Sequence, residues 1–332
     1  MATATPAASV FAQPAPDTQP SSLALGSNRT LDRAETLLNS DHWEEAHDLI
    51  VPWLKDYPKA PDRDRGLFLL AEVYYQKPDR IRAFYHLDEL MDNFPDSRYF
   101  FPALELQYQI ADAYLSGLKE SFLGLRIVSE TDEAIEMLYR IQDRSPGSPL
   151  AEQALRRTAD FYFYSSDFEL AADAYGAYAR SYPRSPAIPQ IRLHQAFSSL
   201  AQFRGPRFDS TPLINARAEF MEIQSAYPGL AADSNVSGWI DRIDADLAHK
   251  NYIKAEFYRH TDQPHGAAFL YRYVVQTYPN SRDADLARQA LAKMPRSVLS
   301  DPPPPQSNAE SAAKQPAVPL GPPVPGANER PR

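Results

Sequence analysis

The sequence predicts an all-α fold, a right-handed solenoid of about six antiparallel helix pairs set between two proline-rich tails. Three observations carry that prediction. An aromatic-proline or serine-proline stop recurs as Tyr57-Pro58, Phe94-Pro95, Ser145-Pro146, Tyr182-Pro183, Tyr227-Pro228 and Tyr278-Pro279. The residue twelve before each of these prolines is alanine: Ala46, Ala83, Ala134, Ala171, Ala216 and Ala267. Eight before lie Ile50, Leu87, Leu138, Tyr175, Phe220 and Tyr271, and five before lie Trp53, Leu90, Ile141, Tyr178, Ile223 and Val274, all apolar or aromatic. Offsets of three and four trace one face of a helix. The alanine is small because two helices cross there at close range, and the proline cannot continue the helix it follows.

Each pair follows from this register. In the first, Ala34 is the small residue of a partner helix, Asn39-Ser40-Asp41 is the turn, and Ala46 leads to Pro58. The second repeats this with Ala71, the turn Gln76-Lys77-Pro78-Asp79 and Ala83. The third has Ala111 as the small residue of its first helix and an insertion from about Lys119 to Thr131. In the fourth, Ala159 is followed by Ser165-Ser166-Asp167 and Ala171. The fifth uses Ala196 and carries an insertion around Phe203 to Thr211. The sixth uses Ala255 and has no break between Val236 and Arg259, so either its first helix is unusually long or an extra half-turn or loop precedes it near Gly229 to Ser237. Small residues at this spacing, closed by proline, form the pattern of the tetratricopeptide repeat. The folded domain is expected over residues 28–297, with units ending near 58, 95, 146, 183, 228 and 279. Residues 1–27 and 298–332 are expected to be disordered, because 14 of the 31 prolines fall in residues 1–27 and 300–332, among Ala, Ser, Gln and Asn.

Composition narrows the function. The chain has 332 residues, 34 Lys and Arg against 43 Asp and Glu, and a net charge of −9, which argues against a nucleic-acid partner. The longest apolar run, Leu49 to Leu54, contains Pro52 and is far short of the ~20 residues of a membrane helix. There is no cysteine, hence no thiolate nucleophile, no Cys-based zinc site and no cysteine to carry a lipid. Histidines 42, 47, 86, 194, 249, 260 and 265 show no metal-ligand spacing, and no phosphate loop or nucleophile elbow is present. No catalytic residue, cofactor or metal is expected.

The stretch 167–291 resembles a known family. It holds Asp167-Phe168-Glu169-Leu170-Ala171 and Tyr182-Pro183-Arg184-Ser185-Pro186. The inserted Arg204-Gly205-Pro206-Arg207-Phe208-Asp209-Ser210, the long helix to Ala255-Glu256-Phe257-Tyr258, and Tyr278-Pro279-Asn280-Ser281 follow. These residues resemble BamD-like lipoproteins of outer-membrane assembly, with a looser likeness back to about residue 102. The first two repeats look like additions to that family's array. The resemblance implies a noncatalytic scaffold of β-barrel assembly at the periplasmic face of the outer membrane, whose partners are assembly components or unfolded barrel segments. The family's lipid-bearing cysteine has no counterpart here. Ser9-Val10-Phe11-Ala12 reads either as the tail of a signal peptide whose start lies upstream or as coincidence.

The expected binding surface is the row of first helices. Just after each first-helix alanine stand Glu35, Glu72, Asp112, Asp160, Phe197 and Glu256, flanked by apolar or aromatic residues such as Phe68, Tyr75, Tyr108 and Phe163, and by Arg156. Such rows suit an extended peptide with basic and aromatic side chains; they equally describe a solvated helix face beside inter-repeat core. Groove candidates are Phe68, Glu72, Tyr75, Tyr108, Asp112, Arg156, Asp160 and Phe163. Loop candidates are Phe122 in the third unit and Arg204, Arg207 and Phe208 in the fifth. The alternatives to barrel assembly are a general tetratricopeptide adaptor in envelope biogenesis or cell division, and an enzyme with an unrecognised site.

Overall fold

A computed structural model describes residues 22–117 and 130–300, all of whose regular elements are helices. The chain divides into two compact units, Met1–Ile188 and Pro189–Arg332.

In the first unit the helices are α1 (Ser22–Leu38), α2 (Trp43–Asp56), α3 (Arg63–Gln76), α4 (Arg80–Asn93), α5 (Phe100–Leu115), α6 (Glu130–Arg144), α7 (Pro149–Tyr164) and α8 (Phe168–Ser181). They pack as α1 with α2, α3 with α4, α5 with α6 and α7 with α8, and α2, α4 and α6 each pack against the first helix of the next pair. The second unit holds α9 (Ile188–Ala201), α10 (Thr211–Ala226), the single turn α11 (Pro228–Asp233), the long α12 (Val236–His260), α13 (Pro264–Thr277), α14 (Arg282–Ala292) and α15 (Arg296–Ser300). There α12 packs on α10, α13 and α14.

The alanine register is where the helices meet. Ala46, Ala83, Ala134, Ala171, Ala216 and Ala267 are fully buried, as are the first-helix alanines 34, 71, 111, 159, 196 and 255. The apolar residues eight and five before each proline are buried with them, Tyr175, Phe220 and Tyr271 completely. A Cβ is the largest group that such a crossing admits without pushing the backbones apart.

Two local devices recur along the chain. Within pairs, four turns use one long backbone bond: the N–H of His42, Asp79, Asp167 and Gln263 donates to the carbonyl of Leu37, Tyr74, Tyr162 and Tyr258. This is the Schellman closure, and Asp41, Ser166 and Asp262 hold its left-handed residue at φ of 60°, 67° and 57°. Between pairs, proline sets the geometry. Tyr57, Phe94, Tyr182, Tyr227 and Tyr278 end their helices with φ between −121° and −134° and ψ between 56° and 64°. The ring of the following proline excludes these residues from the α region.

Some boundaries differ from the sequence expectation. Helix α1 begins at Ser22, ahead of the expected Asn28, because Leu23, Ala24 and Leu25 favour a helix once Pro20 is passed. Apart from Ser22–Ser27 and residues 298–300, the expected tails lie outside the described residues, as does most of the insertion from Lys119 to Thr131. The sixth pair contains both expected features, since α11 precedes an unbroken α12.

Candidate interaction surface

Residues Phe68, Glu72 and Tyr75 stand at successive turns of one face of α3. With Pro102, Glu105 and Leu106 of α5 they line a recess of about 320 Å³. Two of its walls have ring contacts of their own: Phe68 stacks on Tyr99 with ring centroids 5.0 Å apart, and the Arg80 guanidinium lies 5.1 Å from the centre of the Tyr75 ring. Burial, together with the nearby Glu35 carboxylate, pushes Glu72 up to about 7.

The next first helices carry the other groove candidates. On α5, Asp112 accepts a hydrogen bond from Arg157 Nε of α7, and the same guanidinium reaches Ser116 Oγ at 3.2 Å. Burial, then Asp112, raises the Tyr108 hydroxyl above its ordinary value. On α7, Arg156 lies 3.6 Å from Asp160 one turn on, and Asp160 accepts the Tyr175 hydroxyl at 2.7 Å. Phe163 packs edge-on against Phe168 and Tyr175.

The acidic row therefore consists of unlike members. Glu35 pairs with Arg65, which also holds Asp32 at 2.8 Å. Asp112 has Arg157, and Asp160 has Arg156 and Tyr175. In the second unit Glu256 binds Arg259 at 2.6 Å and accepts the Tyr271 hydroxyl. Phe197, which breaks the row, packs edge-on against Phe220 and Trp239. Among the described residues the Glu72 carboxylate has neither a hydrogen bond nor an ion pair.

The fifth-pair loop splits its residues. Phe203 turns back onto the core of its own unit. Gly205 bends the chain at φ 117°. The Phe208 carbonyl accepts a hydrogen bond from Lys250 of α12, while the residue is 56% exposed. Arg204 and Arg207 are exposed beside it. Phe122 lies outside the described residues.

A second recess of about 440 Å³, bounded by Ile135, Glu136, Tyr139, Tyr162, Asp167 and Leu170 among others, lies where α6, α7 and α8 meet. Sequence reasoning missed it by attending to first helices, although Tyr139 and Leu170 break the polar pattern of the outer faces of α6 and α8. Among the described residues no group of three or more His, Asp or Glu side chains is placed to hold a metal ion. No described helix is long and apolar enough to cross a membrane.

Antiparallel helix pairs, locked by alanine crossings and offering carboxylates, guanidiniums and aromatic faces, define a tetratricopeptide protein-interaction scaffold. The chain belongs to the YfiO family, described as outer membrane lipoprotein, whose model matches residues 127–299, just over half of its length. No curated protein matches it. Among solved structures it is similar to a tetratricopeptide repeat protein from Parabacteroides merdae at 13% identity, covering 81% of this chain and 98% of that one with a TM-score of 0.36. It is also similar to the C-terminal part of a repeat protein from Cytophaga hutchinsonii at 13% identity, covering 79% and 87% with a TM-score of 0.37. At that level neither likeness carries a functional argument.

Proposed function

We propose that the protein is a noncatalytic scaffold of the bacterial cell envelope that serves β-barrel protein assembly at the periplasmic face of the outer membrane. The family match over residues 127–299 carries this reading. The geometry supports it: Phe68, Glu72 and Tyr75 line a recess with aromatic walls suited to holding a chain segment, while Asp112, Arg156 and Asp160 are engaged in ion pairs within the protein. Its partners are a barrel-assembly component and segments of barrel proteins that have not yet folded. None of the 332 residues is a cysteine, so none of them carries a thioether-linked lipid.

Photocrosslinking in cells tests it. A crosslinking amino acid placed at Phe208, and separately at Tyr75, is expected to trap envelope proteins of the barrel-assembly class, with the protein fractionating with the outer membrane. Fractionation with the cytosol, or crosslinks confined to proteins unconnected with barrel assembly, would refute it.

A further inference from the structure

Glu72 stands out among the first-helix acids. Every other carboxylate of that row is neutralised inside the protein by an arginine, or by an arginine and a tyrosine hydroxyl. Glu72 is half-buried, lies near the Glu35 carboxylate, and among the described residues has no cation of its own. A carboxylate withdrawn from water without a partner is unfavourable, and a ligand that supplies the cation recovers that cost on binding.

The surroundings specify the cation further. The recess at Glu72 has flat or apolar walls in Phe68, Tyr75, Pro102 and Leu106, and a second carboxylate, Glu105, in its lining. A guanidinium uses a carboxylate edge-on and an aromatic ring face-on, and its apolar stem lies along aliphatic walls. Arg80 shows that the Tyr75 ring accepts a guanidinium on one side. The volume, about 320 Å³, suits one long side chain with part of its backbone rather than a folded domain.

We propose that the recess between α3 and α5 binds an arginine side chain of an extended peptide, with Glu72 as its counter-ion and Phe68 and Tyr75 as its walls. The recess is built from residues 68–109 and lies ahead of the family-matched segment 127–299, so it is a feature of this chain's own N-terminal pairs. The proposal rests on the scaffold reading only in that the occupant is a peptide. It fails or stands independently of which envelope assembly the protein serves.

The test is fluorescence anisotropy on the full chain with two end-capped, labelled peptides, Gly-Phe-Arg-Tyr-Gly-Ser and its copy with glutamine for arginine. The arginine peptide is expected to bind at least about tenfold more tightly, as a charge-assisted pair in a part-buried site should. Glu72→Gln should bring it down to the level of the glutamine peptide, with helicity and melting temperature preserved or raised. Glu72→Lys should reverse the preference toward a third peptide with glutamate in place of arginine. Equal binding of the arginine and glutamine peptides, no binding of either, or a preference that survives Glu72→Gln would each overturn the proposal, while leaving the crosslinking result in the envelope untouched.

Discussion

Asp88 of α4 is the most informative single residue to remove. It is 8% exposed. It accepts the amide of Gln107 on α5 at 2.8 Å and Arg140 Nη1 of α6 at 2.6 Å, and it lies 2.9 Å from Arg144 Nη1. It thus joins two successive helix pairs through one carboxylate. Deleting one partner of a buried ion pair costs about 3–5 kcal/mol when the remaining charge is stranded. Here neither arginine loses every carboxylate, since Arg140 keeps Glu136 at 2.7 Å and Arg144 keeps Asp92 at 2.7 Å. What is stranded is the Gln107 amide, whose residue is completely buried, and the buried Arg144 Nη1, and an unsatisfied buried donor costs ~1–3 kcal/mol. Adding part of the lost charge pairing, Asp88→Ala should cost roughly 2–3 kcal/mol, or about 5–10 °C in a unit of this size. Asp92→Ala, at an exposed carboxylate, should change stability by less than about 0.5 kcal/mol. Thermal and urea unfolding followed by circular dichroism would measure both, and hydrogen exchange would localise the loss to α4, α5 and α6. If Asp88→Ala melts within about 1 °C of the wild type, or no lower than Asp92→Ala, the bridging role assigned to Asp88 is wrong.

Other expectations follow from the same packing. Ala171→Leu should overpack a fully buried crossing and cost ~1–3 kcal/mol in the melt; wild-type stability would mean that the crossing has room to spare. Gly66→Ala should also destabilise by about 1–3 kcal/mol despite a better helix propensity, because a Cβ there would meet the Trp53 ring at 2.8 Å, and a more stable alanine protein would show that the ring moves freely. Burial and Glu35 raise Glu72 from 4.5 to about 7, so the folded state binds more protons than the unfolded state and stability should fall as pH rises between those values. Glu72→Gln should flatten that slope and stabilise at pH 8, by up to about 1–2 kcal/mol after allowing for solvent; an unchanged pH profile would contradict it. In the fifth-pair loop, Arg207→Ala with Phe208→Ala should leave the melt within about 0.5 kcal/mol while weakening partner capture, whereas Phe203→Ala should cost ~1–3 kcal/mol; equal destabilisation by both would place Phe208 in the core.

The features legible in the sequence are those fixed by local geometry or close contact. Two helices that cross at van der Waals distance admit only a small residue, so the twelve alanines are both a written pattern and a buried one. A proline constrains its predecessor, so Tyr57, Phe94, Tyr182, Tyr227 and Tyr278 mark helix ends. Helix α14 carries local signals of the same kind: Ser281 caps it through Ala284 N–H at 3.1 Å, Asp283 and Asp285 open it, and Ala284 and Ala287 face the core. The fate of each acid was hidden for a different reason. Arg65 reaches Glu35 across thirty residues of chain, and Arg157 reaches Asp112 across forty-five. Partners that far apart are brought together by the register of neighbouring pairs, which no local spacing encodes.

That difference bears on how such a row should be read. Six positions sharing a place in the repeat look like one surface, and five of them are acidic. Once each partner is counted, four of those acids are internal fasteners. Glu35 and Asp112 tie first helices to the next in line through Arg65 and Arg157, while Asp160 and Glu256 tie each first helix to its own second helix through Tyr175 and Tyr271. A charge already engaged has little to offer a ligand, because binding must first break the internal pair. Among the described residues Glu72 is the one acid of the row with no such internal partner, and it is also the acid that lines a recess with aromatic walls. Repetition therefore locates the helices, but the exception within the repetition is what points to the ligand.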